Sequence, residues 1–191
     1  MRYPEGHKEK VRASIVASAA RALRRDGLDG VSIPELMKEA GLTHGGFYGH
    51  FKNRDQLVAE AVMAAAEATG AAVLSEEAGD LDATLGRYLS SRHVQHPESG
   101  CVLAALGGEG RRQPAPVRRA FGRAARGFVR LLEEKLHPKS PAGRVSDDAL
   151  RLSAQMVGAI VLARVLDDET LSERMLEAAK HAPRTSGPRR R

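Results

Sequence analysis

Between residues 43 and 54 the chain places Thr43, His44, Tyr48, His50, Lys52 and Arg54, and no carboxylate stands among them until Asp55. Hydroxyls, imidazoles and cations at this density can donate to phosphate oxygens and base edges, with no acid to repel the anion. Catalysis is poorly served elsewhere. The sequence shows no nucleophile–base–orienter set, no phosphate-binding loop and no metal signature. The Gly107–Gly110 run lacks the preceding strand and the lysine that a phosphate loop needs. The expectation is therefore a binding protein with no enzyme activity, no cofactor and no metal.

The elements that must hold these side chains are read outward from them. Ser32 followed by Glu35 predicts a capping box, with Pro34 in the first turn of a helix where its missing N–H costs nothing. Leu36, Met37 and Ala40 give that helix an apolar side, and Gly41 stops it. Thr43 is placed to cap a second helix, about Thr43 to Gly49, which contains Gly45 and Gly46. Glycine costs about 1 kcal/mol in a helix interior, so this helix needs its neighbours, with Phe47 and Phe51 as anchors. A polar, acid-free face on a helix after a glycine turn suits a helix-turn-helix unit, whose second helix enters the major groove. An ordinary helical hairpin with a solvated face has the same spacing.

The run GLTHGGFYGHFKNRDQLV resembles the recognition-helix signature of TetR/AcrR-type transcriptional regulators. The signature is carried by Gly41, Leu42, Thr43, Gly45, Phe47, Tyr48, His50, Phe51 and Arg54. With Ser32 and Ile33 the likeness covers roughly the first 60 residues. Beyond them it rests on length and helical layout, and on GCVLAALGGEGRRQ, similar to a motif in one branch of the family's ligand domains. The resemblance implies an all-α fold, with an N-terminal three-helix helix-turn-helix DNA-binding domain and a C-terminal helical ligand-binding and dimerisation domain. It implies boundaries of 8–55 (motif about 32–51) and 56–182, before a basic tail, 183–191. It also implies that Tyr48, His50, Lys52 and Arg54 grip phosphates, Ser32 bonds another, and Thr43 and His44 read base edges. Gly46 departs from the Thr, Ser or Asn common there. That removes one possible contact or lets the helix lie closer to the groove.

Composition agrees. Alanine, leucine and arginine dominate, which favours helix, and no alternating β-branched run demands a strand. The formal charge is +6, but residues 1–55 carry ten Lys/Arg against seven Asp/Glu, so position rather than total charge argues for DNA. One cysteine, Cys101, excludes an intramolecular disulfide and fits a reducing compartment. No signal peptide is visible, and the longest apolar stretch, Met156 to Leu166, is interrupted by Arg164. A cytoplasmic protein that does not enter the membrane is expected.

Along the chain, apolar spacing predicts a first helix over Lys8–Arg25, whose Lys8, Lys10 and Arg12 could touch phosphates. A fourth helix begins at Asn53, with Gln56 closing a capping box, and runs to about Ala78. A fifth runs from Asp80 to Gln95. A short helix follows Cys101, another runs from Pro114 to His137 with a row of arginines as a solvated face, and Ser146 caps the next. From Ala149 to Leu166 that helix is apolar nearly all round and needs two surfaces to bury. A last helix covers Glu169 to His181. Leu152, Met156, Ile160, Leu171 and Met175 are the candidates for a homodimer interface made by these two helices. The tail 183–191 is expected to lack order.

The resemblance further implies a small-molecule effector that releases the dimer from a palindromic double-stranded operator, and repression as the mode. Tyr88, Arg92, Cys101, Phe121, Phe128, Gln155 and Met156 are candidates for its cavity. Two alternatives stand beside this. One is a helical ligand- or partner-binding module without specific DNA binding. The other is a regulator that senses electrophiles or oxidants at Cys101 if its thiolate is exposed near Arg92 or Arg111. His93 and His96, three apart, would make an incomplete metal site.

Overall fold

The computed structural model describes residues 6–74, 79–141 and 143–181, the side chains of 44, 73 and 74 excepted. The expected end of the fourth helix near Ala78 and the basic tail 183–191 lie outside the described residues. Within them the chain is helical and no strand occurs: α1 His7–Asp26, α2 Ile33–Glu39, a 3₁₀-helix His44–Gly49, α3 Arg54–Leu74, α4 Leu81–Tyr88, α5 Ser91–Gln95, a 3₁₀ turn Pro97–Ser99, α6 Val102–Gly110, α7 Ala115–Leu136, α8 Asp147–Val165 and α9 Glu169–Lys180. No helix among the described residues is long and apolar enough to cross a membrane.

Two apolar cores organise these helices. The first joins Ile15, Leu23, Leu36, Phe47, Phe51, Leu57 and Val62 to Leu106, Val117 and Phe121, so the N-terminal helices pack onto α6 and α7 without a break. The second joins Tyr88, Leu89, Cys101, Phe128, Leu132, Leu152, Met156, Ile160 and Leu176. Side-chain caps start several helices: Asp80 on α4, Ser90 on α5, Ser146 on α8 and Asp168 on α9.

Three expectations are corrected here. The fifth helix is two, because the backbone turns out of helix at Leu89 and the Ser90 hydroxyl caps a new start by accepting from His93 N. Gln56 does not close its box on Asn53. Its side-chain oxygen accepts from Lys52 N, while Asn53 Oδ1 accepts from Gln56 N. And Leu152, Met156 and Ile160 are buried in the protomer's own second core, which removes them from any interface with a partner. Their helix turns Leu150, Val161, Leu162 and Val165 to the outside instead, beside exposed Leu171 and half-buried Met175 of α9. The face was misassigned because α8 is apolar nearly all round, so spacing does not tell inside from outside.

Candidate nucleic-acid interface

The turn between α2 and the 3₁₀-helix follows from local chemistry. The Ser32 hydroxyl oxygen accepts from Glu35 N, and the Glu35 carboxylate accepts from both Ser32 N at 2.7 Å and the Ser32 hydroxyl at 2.6 Å. These bonds hold the Glu35 carboxyl below its ordinary pKa. At the other end Gly41 takes φ 74°, its N–H reaching Lys38 O and the N–H of Leu42 reaching Met37 O. That pair of bonds is a Schellman motif, and its left-handed residue favours glycine.

The second helix is a 3₁₀-helix rather than an α-helix. Gly46 N donates to Thr43 O and His50 N to Phe47 O, the i to i+3 pattern. Three glycines in six residues weaken the α alternative, and burial of Phe47 and Phe51 holds the segment in place. The two rings stack at 5.6 Å in the first core. Between them Tyr48 points out, 67% exposed, with its ring edge against Phe47 at 5.2 Å. Thr43 and Lys52 are exposed on the same segment, as are the backbones of Gly45 and Gly46. The side chain of His44 lies outside the described residues. His50 is half-buried, and burial, then Lys8 and Arg12, pulls its pKa down.

Three residues considered for phosphate contact are engaged by other groups of the chain. Arg12 makes a two-pronged pair with Glu60, at 2.6 Å on both prongs, and lies over the Phe51 ring at 4.7 Å. Arg54 donates to the carbonyls of Leu28 and Val31, which ties the start of α3 to the connection before α2. The Ser32 hydroxyl proton is directed to the Glu35 carboxylate. These side chains hold the reading segment in position while Thr43, Tyr48 and Lys52 face outward.

The C-terminal helices enclose two adjoining cavities. One of about 290 Å³ is mainly apolar, lined by Met63, Ala66, Leu103, Phe128 and Leu131, with Glu67 and Arg123 at its edge. The other, about 380 Å³, is of mixed lining, with Arg87, Ser90, Arg92, His93 and Ser99 supplying its polar groups beside Ala72 and Gly100. Thr69 and Cys101 line both. Of the expected cavity residues, Phe128 and Cys101 line the first, and Arg92 and Cys101 the second. Tyr88, Phe121, Gln155 and Met156 line neither. Tyr88, Phe121 and Met156 are core, and the Gln155 amide donates to Ala179 O at 2.8 Å. Burial pushes the Tyr88 hydroxyl well up in pKa, and the nearby Cys101 thiol adds to it.

Spacing missed the backbone of Gly100 and Cys101. Cys101 N–H donates to His93 Nε2 at 2.9 Å, which leaves the proton on Nδ1, and Nδ1 donates to Tyr88 O at 2.7 Å. Burial pulls the His93 pKa down to about 4. With both ring nitrogens engaged by backbone and His96 paired to Glu98, His93 and His96 make no metal site, and no metal-binding cluster occurs among the described residues. Gly100 O accepts from Arg24 of α1 at 2.7 Å, and the Arg164 guanidinium donates to His93 O at 2.7 Å. A Cβ on Gly100 would stand 2.5 Å from the His93 ring, so only glycine lets the two approach. Glu109 of α6 adds a second link to the N-terminal helices, accepting from Leu28 N at 3.0 Å. One signal of this network was legible: Arg164 interrupts the longest apolar run.

Comparison with known proteins bears on this geometry. Residues 15–61 match the family model described as bacterial regulatory proteins, tetR family. A helix-turn-helix-type transcriptional regulator of Mycobacterium tuberculosis strain H37Rv, itself uncharacterized, is 31% identical over 171 residues, covering 83% of this chain and 87% of its own. A TetR-family regulator from Agrobacterium tumefaciens superposes with TM-score 0.73 at 18% identity, over 91% of this chain and 97% of the other. AibR, crystallised with isovaleryl coenzyme A and operator DNA, superposes with TM-score 0.61 at 19% identity, over 89% and 96%.

Proposed function

The chain belongs to the TetR family of DNA-binding transcriptional regulators, and on that premise we propose that it is a cytoplasmic repressor which grips a palindromic operator as a homodimer and releases it when a small molecule enters the C-terminal cavities. The observation that carries the DNA contact is the exposed, acid-free segment from Thr43 to Lys52, pinned from below by Phe47 and Phe51. In this reading Tyr48, Lys52 and His50 meet phosphates, and Thr43 and His44 meet base edges. The bare backbones of Gly45 and Gly46 allow close approach to the groove. Ser32 and Arg54 act through position: one holds the start of α2, the other ties α3 to the connection before it.

A six-residue 3₁₀-helix reaches few base pairs, and two related by a two-fold axis read an inverted repeat at a spacing the dimer sets. Leu150, Val161, Leu162 and Val165 of α8, with Leu171 and Met175 of α9, form the outer apolar face for that dimer. Covering it with the same face of a second chain satisfies an isologous contact. AibR was crystallised with both an acyl coenzyme A and operator DNA, which supports an effector-responsive reading. Release requires the effector to favour a conformation that binds DNA poorly. The links available to carry that preference are Gly100 O to Arg24 and Glu109 to Leu28 N, both running from the cavity side to α1 and its end.

Selection of sequences from a random DNA pool at two salt concentrations tests the reading. An inverted repeat with steep salt dependence is expected. Lys52→Ala should weaken all sequences evenly and lower the salt slope by about 1, whereas Thr43→Ala should relax one position of each half-site. Weak binding with no preferred sequence overturns it.

A further inference from the structure

Among the described residues, the side chains that line the second cavity include two arginines and no acid. Arg87 and Arg92 line the cavity, both exposed, and neither side chain has a hydrogen bond or ion pair among the described residues. Two more guanidiniums stand behind the Gly100 peptide that closes it. Arg24 is 8% exposed and donates to Ala20 O and Gly100 O, while Arg164 donates to His93 O and Val94 O, with its Nη2 close to Gly100. Their partners are carbonyls, and Glu98, the acid that acts on both from a distance, is paired with His96. Burial pulls both guanidiniums down in pKa, as expected for cations lacking a counter-ion. His93 adds no charge at neutral pH, since burial pulls its pKa down to about 4.

The neighbouring cavity is more apolar. Its walls are mainly hydrocarbon, and its charged lining residues are one acid, Glu67, and one base, Arg123. The wall shared by the two spaces includes only the small side chains of Thr69 and Cys101. Each space lies near the lower end of the roughly 300–1,000 Å³ that small-molecule sites occupy.

We infer that the two cavities form one bipartite site for an amphipathic anion, its hydrocarbon body in the apolar cavity and its carboxylate or phosphate head against Arg87 and Arg92. The inference rests on the reading of the C-terminal helices as effector-binding. The exposed guanidiniums offer forked donors that match a carboxylate or phosphate, and the buried pair raises the local potential in favour of an anion. The body gains from burial of apolar surface, which a bare inorganic anion lacks. A head group seated there lies beside the Gly100 peptide, one bond from Arg24 of α1.

Calorimetric titration of the full-length protein with decanoate, decyl phosphate, decanol and decyltrimethylammonium, below their micelle concentrations, tests this. The anions should bind about tenfold or more tighter than decanol, as expected for charge-assisted hydrogen bonds, and the cation weakest. The tighter of decanoate and decyl phosphate identifies which anionic head the site takes. The double variant Arg87→Gln/Arg92→Gln should lose that preference and keep its affinity for decanol. Gly127→Leu, whose added side chain starts in open space on the wall of the apolar cavity, should abolish binding of all four with melting temperature and operator affinity retained. Equal binding of the four head groups, a preference that survives the double variant, or binding unaffected by Gly127→Leu overturns the inference. Anions that bind as expected but leave a selected operator in place support the ligand class and overturn effector release. Operator binding intact with no amphiphile bound overturns the ligand class alone.

Discussion

The two ends of the molecule build their sites in different ways. At the reading segment, neighbours in sequence do most of the work: Ser32 caps with Glu35, Gly41 bonds back to Lys38, and Phe47 stacks on Phe51 four residues on. At the cavities, the bonds that matter join Arg24 to Gly100, Arg164 to His93 and Glu109 to Leu28, each more than 70 positions apart. The first site separates support from contact along one short stretch. The second makes the same backbone both a cavity wall and a link to α1.

Substitutions can break this contrast at either end. The largest effect is expected at Phe47→Ala, where an empty space in the first core should cost about 3–5 kcal/mol by urea unfolding and take operator binding with it. Acid should come next. The folded-state pKa of His93, about 4, lies below the ordinary 6.5, so the unfolded chain binds more protons between those values. Its contribution is whole above pH 6.5 and is lost as pH falls toward 4, by up to roughly 3 kcal/mol. His93→Gln should flatten that part of the stability–pH curve. Arg24→Met should cost about 1.5–3 kcal/mol by leaving Gly100 O without its charged donor, and it should also weaken any effect of a cavity ligand on operator affinity.

The smaller effects sharpen the contrast within the reading segment. Tyr48→Ala, next to Phe47, should leave stability within about 0.5 kcal/mol and lower operator affinity by about tenfold across sequences, measured by fluorescence anisotropy. Neighbouring residues would then divide cleanly into fold and function. Gly46→Ala is the mildest. Its methyl would meet Met37 Cε at 3.7 Å, an ordinary contact, and the backbone there has no positive φ. Reduced freedom of the unfolded chain should stabilise the protein by about 0.4–1 kcal/mol, read from thermal melting.

Residue order alone was enough for the helical class, most helix starts, the Gly41 turn and the inward roles of Phe47 and Phe51. Each rests on interactions within about four residues, where spacing and side-chain chemistry leave few alternatives. It did not separate contact from support among cations. In sequence Arg12 is open to a phosphate or to solvent and Arg54 is expected at a phosphate by resemblance, and only the assembled structure sets Glu60 and the carbonyls of Leu28 and Val31 beside them. Nor did it tell which side of α8 faces out, because an all-round apolar helix has no marked face, and packing alone buried Met156 and Ile160 while leaving Leu162 and Val165 outside. The meeting of Arg24, His93, Arg164 and the Gly100 peptide belongs wholly to the tertiary structure: three helices and a turn must assemble before those groups are within hydrogen-bonding distance, and no local periodicity encodes such a meeting.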